Sequence, residues 1–201
     1  MASHNPIKVT LLGPMTVGKS SIAYYLYTGK ICSMIDMQST IGCAFMRYKH
    51  LTDNDIINFN IWDLSGSETY QSVVGMYLRN VQVILLVYDA SNEESYKEIV
   101  RIWIPYVKEK ILDEDPVICL VSNKIDRGED VELREKGRTL AESNGYLFWR
   151  TSAQTGDGIK ELFAEIVIKL KDKSQPKPSE GITLLHEPKD IKCMSYLKCN
   201  T

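Results

Sequence analysis

Eight consecutive residues, Gly13-Pro14-Met15-Thr16-Val17-Gly18-Lys19-Ser20, have the types and spacing of a phosphate-binding loop: a glycine, four residues, then Gly-Lys-Ser. The chemistry of such a loop is anion capture. Backbone N–H groups and the positive end of the following helix converge on one point. Lys19 is placed to reach the outer phosphates of a triphosphate, and the Ser20 hydroxyl to bind Mg²⁺. A chance glycine turn ahead of a helix is the bland reading, and the flanks argue against it. Ile7-Lys8-Val9-Thr10-Leu11-Leu12 reads as a buried strand, and Ser21 to Tyr27 as a helix ending at Gly29.

A second constellation names the base. Asn123-Lys124-Ile125-Asp126 follows the apolar run Val117 to Val121. A carboxylate at Asp126 can accept from both the ring N–H and the exocyclic amine of guanine, and adenine offers no such pair. A site built on these bonds rejects the wrong base strongly. Asn123 can bridge loops, and the Lys124 stem can cover one face of the base. Thr151-Ser152-Ala153 closes a later strand, read as Tyr146 to Arg150, where the Ala153 N–H can donate to the guanine O6. Asn-Lys-x-Asp alone is as readily a polar turn; its position after a phosphate loop gives it meaning.

Asp63-Leu64-Ser65-Gly66 follows the alternating pattern Ile57 to Trp62. Asp63 can hold Mg²⁺ through water, and the Gly66 N–H can meet a γ-phosphate oxygen. Thr40, in a polar loop, can bind both Mg²⁺ and the γ-phosphate. Two loops fastened by one phosphate and released on its loss make a switch.

Apolar runs that alternate with amphipathic helical segments predict a doubly wound α/β sheet, with right-handed crossovers placing helices on both faces. All four motifs then emerge at the C-terminal edge of the strands. Val83 to Val87 reads as a strand buried on both faces. The short turn Thr52-Asp53-Asn54-Asp55 forces Cys43 to Leu51 and Ile56 to Asp63 into an antiparallel hairpin. Ser91-x-x-Glu94 predicts a capping box. Tyr96, Ile99, Val100, Trp103 and Val107 then follow helical spacing, interrupted or kinked at Pro105. Ile159, Leu162, Phe163, Ile166, Val167 and Leu170 form the core stripe of a last helix.

The four motifs occur in the order of the Ras-superfamily GTPases, and about Pro6 to Lys171 resembles the Rab branch. The resemblance rests on Thr40 to Phe45, Ile61-Trp62-Asp63, Met76 to Arg79 and Leu85 to Asp89 with Ser91 to Tyr96. Ser39 to Phe45 looks most like the early-endosomal subgroup. The resemblance implies a P-loop NTPase G domain, α/β, with a six-stranded mostly parallel sheet, one antiparallel hairpin and helices on both faces. It implies a short extension at 1–5, a G domain at 6–171 and a flexible tail at 172–201. Nucleotide contacts are expected from Gly13, Met15, Thr16, Val17, Gly18, Lys19, Ser20 and Ser21. Others are expected from Thr40, Gly66, Asn123, Lys124, Asp126, Ser152, Ala153 and Gln154. Mg²⁺ falls to Ser20, Thr40 and Asp63, and hydrolysis of GTP to GDP falls to Lys19, Thr40, Gly66 and Ser67. Phe45, Trp62 and Tyr77 match the aromatic triad that Rab proteins present to effectors. The switch regions imply an exchange factor and a GTPase-activating protein as further partners of a monomer. The implied place is the cytosol, cycling to endosomal or other endomembranes in vesicle traffic.

The departures carry expectations of their own. Ser67 stands where the family has the Gln that orients the attacking water, and its side chain is too short to span that gap. Leu64 and Ser65 also depart from the usual motif. Met15 replaces a small residue over the γ-phosphate. Intrinsic hydrolysis is therefore expected to be slow, unless compensation lies elsewhere. Activating proteins of Rabs bring both Arg and Gln, so stimulated hydrolysis can survive. Seven residues before Thr40 the family places a Phe over the guanine edge; Ser33 stands here, with Ile31, Met34 or Ile35 as partial substitutes. Faster nucleotide release is expected. The alternative function is a GTP-binding interaction module with little hydrolysis. A small-molecule P-loop kinase is opposed by Asn123-Lys124-x-Asp126 and by Thr40.

The 201 residues suffice for one α/β domain plus a tail, and a net charge of −2 gives no basic field for nucleic acid. The first residues lack an apolar signal core, and no run is long enough to span a bilayer. Five cysteines, Cys32, Cys43, Cys119, Cys193 and Cys199, lack paired metal spacing and suit a reducing compartment. The tail ends Lys198-Cys199-Asn200-Thr201, without the double cysteine or four-residue box of prenylated relatives. One prenyl group on Cys199, with Cys193 as a second candidate, or no lipid at all are the readings left open.

Overall fold

The computed structural model describes residues 5–31, 40, 42–52, 55–66, 71–111 and 115–174, except the side chains of 71–73. Strand β4 (Val83–Asp89) shows how they are layered. Val83, Leu85 and Val87 enter one apolar cluster, while Ile84, Leu86 and Tyr88 enter another. A period-two backbone that is apolar on both faces has to be covered on both. Helices α1 (Lys19–Thr28) and α6 (Ile159–Ser174) supply the first cluster. Helices α2 (Gln71–Leu78), α3 (Glu93–Glu98), α4 (Ile104–Lys110) and α5 (Val131–Asn144) lie on the other side.

The strand order is β2-β3-β1-β4-β5-β6, six strands in all. The strands are β1 (Ile7–Leu12), β2 (Cys43–Leu51), β3 (Ile56–Leu64), β4, β5 (Val117–Asn123) and β6 (Leu147–Thr151). Only β2 runs antiparallel, against β3; the other described pairs are parallel. This matches the sheet implied by the family resemblance. The order reverses at β1, so the crevice for a ligand opens at its C-terminal end.

Register in β3 is set by its alternation. Ile57, Phe59 and Ile61 are buried, and Asn58 and Asn60 are not. A one-residue slip would expose three large apolar side chains, each worth about 1.5–3 kcal/mol. The same register turns Asp63 inward toward α1.

Three local expectations are corrected and a fourth is refined. The N-cap of α3 is Asn92, whose side chain accepts from Glu94 N (3.0 Å) and Ser95 N (3.3 Å). Ser91 instead donates to Asp89 Oδ1 at 2.9 Å. Strand β6 begins at Leu147, one residue after Tyr146. The segment with Pro105 is interrupted, as its sequence predicts, and the interruption is a wider turn just before the proline. A π turn (Ile99–Trp103) joins α3 to α4, with the Ile104 N–H bonded to Ile99 O. Pro105, which lacks an N–H, sits in the first turn of α4, where none is needed. The wider turn buries Trp103 to 1% exposure and leaves Val100 at 37%, off the apolar face where regular spacing had put it.

Ile159, Leu162, Phe163, Ile166 and Val167 of α6 are buried as the stripe predicts. No helix among the described residues is long and apolar enough to cross a membrane. Ser33, Met34, Ile35, Ser67, Cys32, Cys193, Cys199 and most of the tail lie outside the described residues.

Candidate nucleotide site

The loop after β1 ends on Gly18, the N-cap of α1, at φ 97°. That left-handed backbone favours glycine, and a Cβ there would also run into the Asn123 amide. No side chain caps α1, and its first turn holds no acidic residue. Its N-terminal N–H groups therefore remain for an outside anion. Lys19 is 6% exposed, and its Nζ donates to Gly13 O (2.8 Å) and Pro14 O (2.7 Å). Burial lowers its pKa to about 8, against the opposing pull of Asp63 and Glu98.

Asp63, at the end of β3, gathers the two hydroxyls expected at the metal. Ser20 Oγ donates to Asp63 Oδ2 at 2.5 Å, and Thr40 Oγ1 lies 3.2 Å from the same oxygen and 2.8 Å from Ser20 Oγ. Asp63 is 1% exposed, and its Oδ1 has no hydrogen-bond partner among the described residues. Burial raises its pKa, outweighing the Ser20, Lys19 and Thr40 contributions. A buried carboxylate with an unused oxygen is costly unless a cation or donor meets it. Three hard oxygen groups of this kind suit Mg²⁺.

The base end is braced from three strands. Asn123 is fully buried; its Nδ2 donates to Val17 O (2.8 Å), and its Oδ1 accepts from Thr151 Oγ1 (3.0 Å) and Ala153 N (3.3 Å). One side chain thus ties the phosphate loop to β5 and β6. Asp126 Oδ1 accepts from Ser152 Oγ at 2.5 Å. Ser152 Oγ in turn accepts from Gln154 N (3.2 Å) and Thr155 N (3.1 Å), which fixes the carboxylate's angle. Lys124 has a left-handed backbone, φ 68°, and its Nζ pairs with Asp89 Oδ2 at 2.8 Å.

These residues surround a cavity of about 500 Å³, an ordinary size for a small-molecule site. Of the expected residues, it is lined by Met15, Thr16, Gly18, Lys19, Ser20, Ser21, Thr40, Asp63, Gly66, Asn123, Lys124, Asp126, Ala153 and Gln154. Gly13, Val17 and Ser152 do not line it. Val17 belongs to the core, and Ser152 acts through Asp126. Sequence reasoning missed Tyr24, Ala44, Met46, Leu64, Ser65 and Arg127 on the wall, and Asp89 behind Lys124. Nothing in their spacing marks the wall residues. Asp89 at the end of a strand beside Asn123 was the one available signal. Ile31, a possible stand-in for the missing Phe, is 47% exposed and off the wall.

Met15 is 48% exposed. With Thr16 and Gly66 it separates this cavity from a second one, of about 640 Å³, that reaches α3 and the π turn. On the outer side of the sheet, Phe45 and Trp62 lie 4.8 Å apart and Trp62 and Tyr77 5.2 Å, so the three expected aromatics form one patch.

The Ras family model matches residues 8–172. The chain is 36% identical to the GTP-binding protein YPT52 of Saccharomyces cerevisiae, with 82% of each chain covered. It is also 36% identical to the Ras-related protein Rab-5A of Dictyostelium discoideum, over 87% of this chain and 85% of that one. It is 31% identical to the Ras-related protein Rab-17 of Mus musculus, over 90% of this chain and 86% of that one.

Proposed function

Since the chain belongs to the Ras family, as a small GTPase of Rab type, we propose that it is a Mg²⁺-dependent GTP/GDP switch in endocytic vesicle traffic, with slow intrinsic hydrolysis. The observation that carries the switch is the Ser20–Thr40–Asp63 cluster. It joins the phosphate loop, the loop before β2 and the end of β3 through one carboxylate. Thr40 and Gly66 are the parts that respond to the γ-phosphate; Gly18 and Lys19 hold the rest of the phosphate chain. Ser20, Thr40 and Asp63 hold Mg²⁺, which when bound neutralises phosphate charge. Asp126, braced by Ser152, selects guanine.

Slow hydrolysis rests on Ser67 and on Met15, whose side chain lines the cavity beside Gly66. Fast release of GDP rests on Ser33, which stands where the family has a Phe over the guanine edge, and on Ile31, which is 47% exposed and does not line the cavity as a substitute. Together these bias the protein toward the GTP form. The second reading, a GTP-binding module that scarcely turns over, shares the same support. Effectors and regulators dock on Phe45, Trp62 and Tyr77. Membrane contact runs through Cys199, with one prenyl group, on the cytosolic face of endomembranes.

Single-turnover phosphate release from the GTP-loaded protein is the test, alone and with a Rab-activating protein. Wild type should be slow, and Ser67→Gln with Met15→Gly faster. A wild-type rate equal to that of ordinary Rab proteins removes slow hydrolysis. No phosphate release even with the activating protein selects the second reading. Failure to bind GDP at all removes both.

A further inference from the structure

We infer that Glu129 and Arg150, neither of which lines the cavity, are positioning residues for guanine: their ion pair clamps the loop carrying Asp126 to the end of β6, beside Ser152. This rests on reading Asp126 as the group that selects the base, and it assigns the device that holds Asp126 at its angle.

The need for a clamp follows from the loop. Asp126 is exposed and sits in a single tight turn, Ile125–Arg127. Arg127 N donates to Lys124 O (3.0 Å) and Gly128 N to Ile125 O (3.4 Å), which is little to hold a turn of that length. The turn closes on Gly128 at φ 100°, a backbone that favours glycine. Asp130 then caps α5, accepting from Glu132 N (2.9 Å) and Leu133 N (3.1 Å). Glu129 is the one side chain between the turn and the capped helix.

Arg150 meets it with two bonds. Its Nε donates to Glu129 Oε1 at 2.8 Å and its Nη2 to Oε2 at 2.6 Å. Such a fork fixes direction as well as distance. The Glu129 side chain is 9% exposed, and Arg134 Nη1 of α5 stands 3.6 Å from the same Oε2. Arg150 lies in register with Ser122 of β5, two residues before Ser152. The base-facing segments are therefore joined twice, by Asp126–Ser152 and by Glu129–Arg150. One contact leaves a hinge about itself; two fix the angle. Asp126 has to meet the ring N–H and the exocyclic amine of guanine together, and hydrogen bonds weaken steeply when misaligned. Pinning α5 to the sheet is the competing role for the pair. That helix is already held by its Asp130 cap and by Leu133 and Ala141 in the second core.

The test compares guanosine and inosine diphosphates, which differ by the exocyclic amine alone, on the full chain with Mg²⁺. E129Q and R150Q should each release labelled GDP about two to five times faster than wild type, and lower the guanosine-to-inosine affinity ratio by a similar factor of about two to five. R150K, which keeps the charge and loses the fork, should fall between. The double variant E129Q/R150Q should be no worse than either single one, because the same contact is removed once. An unchanged ratio with a lowered unfolding temperature makes the pair structural and overturns the inference. Additive losses in the double variant overturn it too, since the two residues then act apart. A wild type that binds ADP as tightly as GDP overturns the reading of Asp126 along with the clamp. A guanine-selective wild type whose ratio no variant changes overturns the clamp alone.

Discussion

Lys124 Nζ lies 2.8 Å from Asp89 Oδ2, with the two side chains only 19% and 13% exposed. The lysine belongs to the loop after β5 that carries Asn123-Lys124-x-Asp126, and the aspartate ends the neighbouring strand β4. Burial alone would raise the Asp89 pKa. The Lys124 bond and two bonds from Ser91 outweigh it and hold the carboxyl below its usual range. A lowered carboxyl pKa stabilises the folded state above the ordinary carboxylate value. That stabilisation is lost as pH falls through the lowered one.

Asp89→Asn should therefore loosen the Lys124 stem over the base without touching the nucleotide. One charged hydrogen bond is worth about 1.5–3 kcal/mol, so GDP release should speed up by at least about tenfold. Labelled-GDP dissociation measures this. Asp89→Glu should restore most of the loss, and equal rates in Asp89→Asn and wild type would show that the pair does not position Lys124.

Asn123→Ala should act on stability as well as on binding. It leaves Val17 O, Thr151 Oγ1 and the Ala153 N–H without their partner inside a buried junction. The expected cost is about 2–4 kcal/mol. For a domain of this size, each kcal/mol lowers the unfolding temperature by roughly 2–4 °C. Thermal unfolding of the GDP-bound forms would show it, and a loss under about 1 kcal/mol would count against the junction.

The contrast between Asn123 and Pro105 marks what was legible in the sequence. The phosphate loop, Asn123-Lys124-x-Asp126 and Asp63 could be read because their chemistry demands fixed types at fixed spacing. Strands such as β4 could be read because burial on both faces leaves a continuous apolar run. The π turn could not. Trp103 and Val100 both fit a regular helix on paper, and only packing against the second core decides which of them turns inward. Asn92 displaced Ser91 as cap because Ser91 had a nearer use, at Asp89. Ion pairs such as Lys124–Asp89 join distant segments and leave no periodic trace.

The Lys19 ammonium gives a pH prediction. Its pKa is lowered from 10.5 to about 8, chiefly by burial. A lysine shifted down destabilises the folded state below that value, and the penalty fades as pH rises toward 10.5. Phosphate binding needs the charged form and raises the pKa again. GDP affinity should therefore be flat below about pH 8 and decline above it by up to tenfold per pH unit, with about one proton taken up on binding. Calorimetry in buffers of different ionisation enthalpy reads this uptake, and Lys19→Met should abolish it. Flat affinity through about pH 9.5 would show that the ammonium stays charged in the empty loop.

Gly66 lies against the backbone of Pro14 and Met15, closer than any side chain would permit. A Cβ at Gly66 would overlap the Pro14 carbonyl and the Met15 N–H, which are main-chain atoms that cannot swing away. Gly66→Ala must therefore push the segment after β3 off the phosphate loop. On the proposed reading the diphosphate is held by Gly18, Lys19 and Ser20 of the phosphate loop, which are not among the nearest contacts of a Gly66 Cβ and are left in place by this displacement. The triphosphate loses the Gly66 N–H, a charge-assisted bond worth about 1.5–3 kcal/mol. Affinity for a non-hydrolysable GTP analogue should fall about tenfold or more in Gly66→Ala, while GDP affinity changes less than about threefold. Equal losses for both nucleotides would mean that Gly66 supports the loop itself and does not sense the third phosphate.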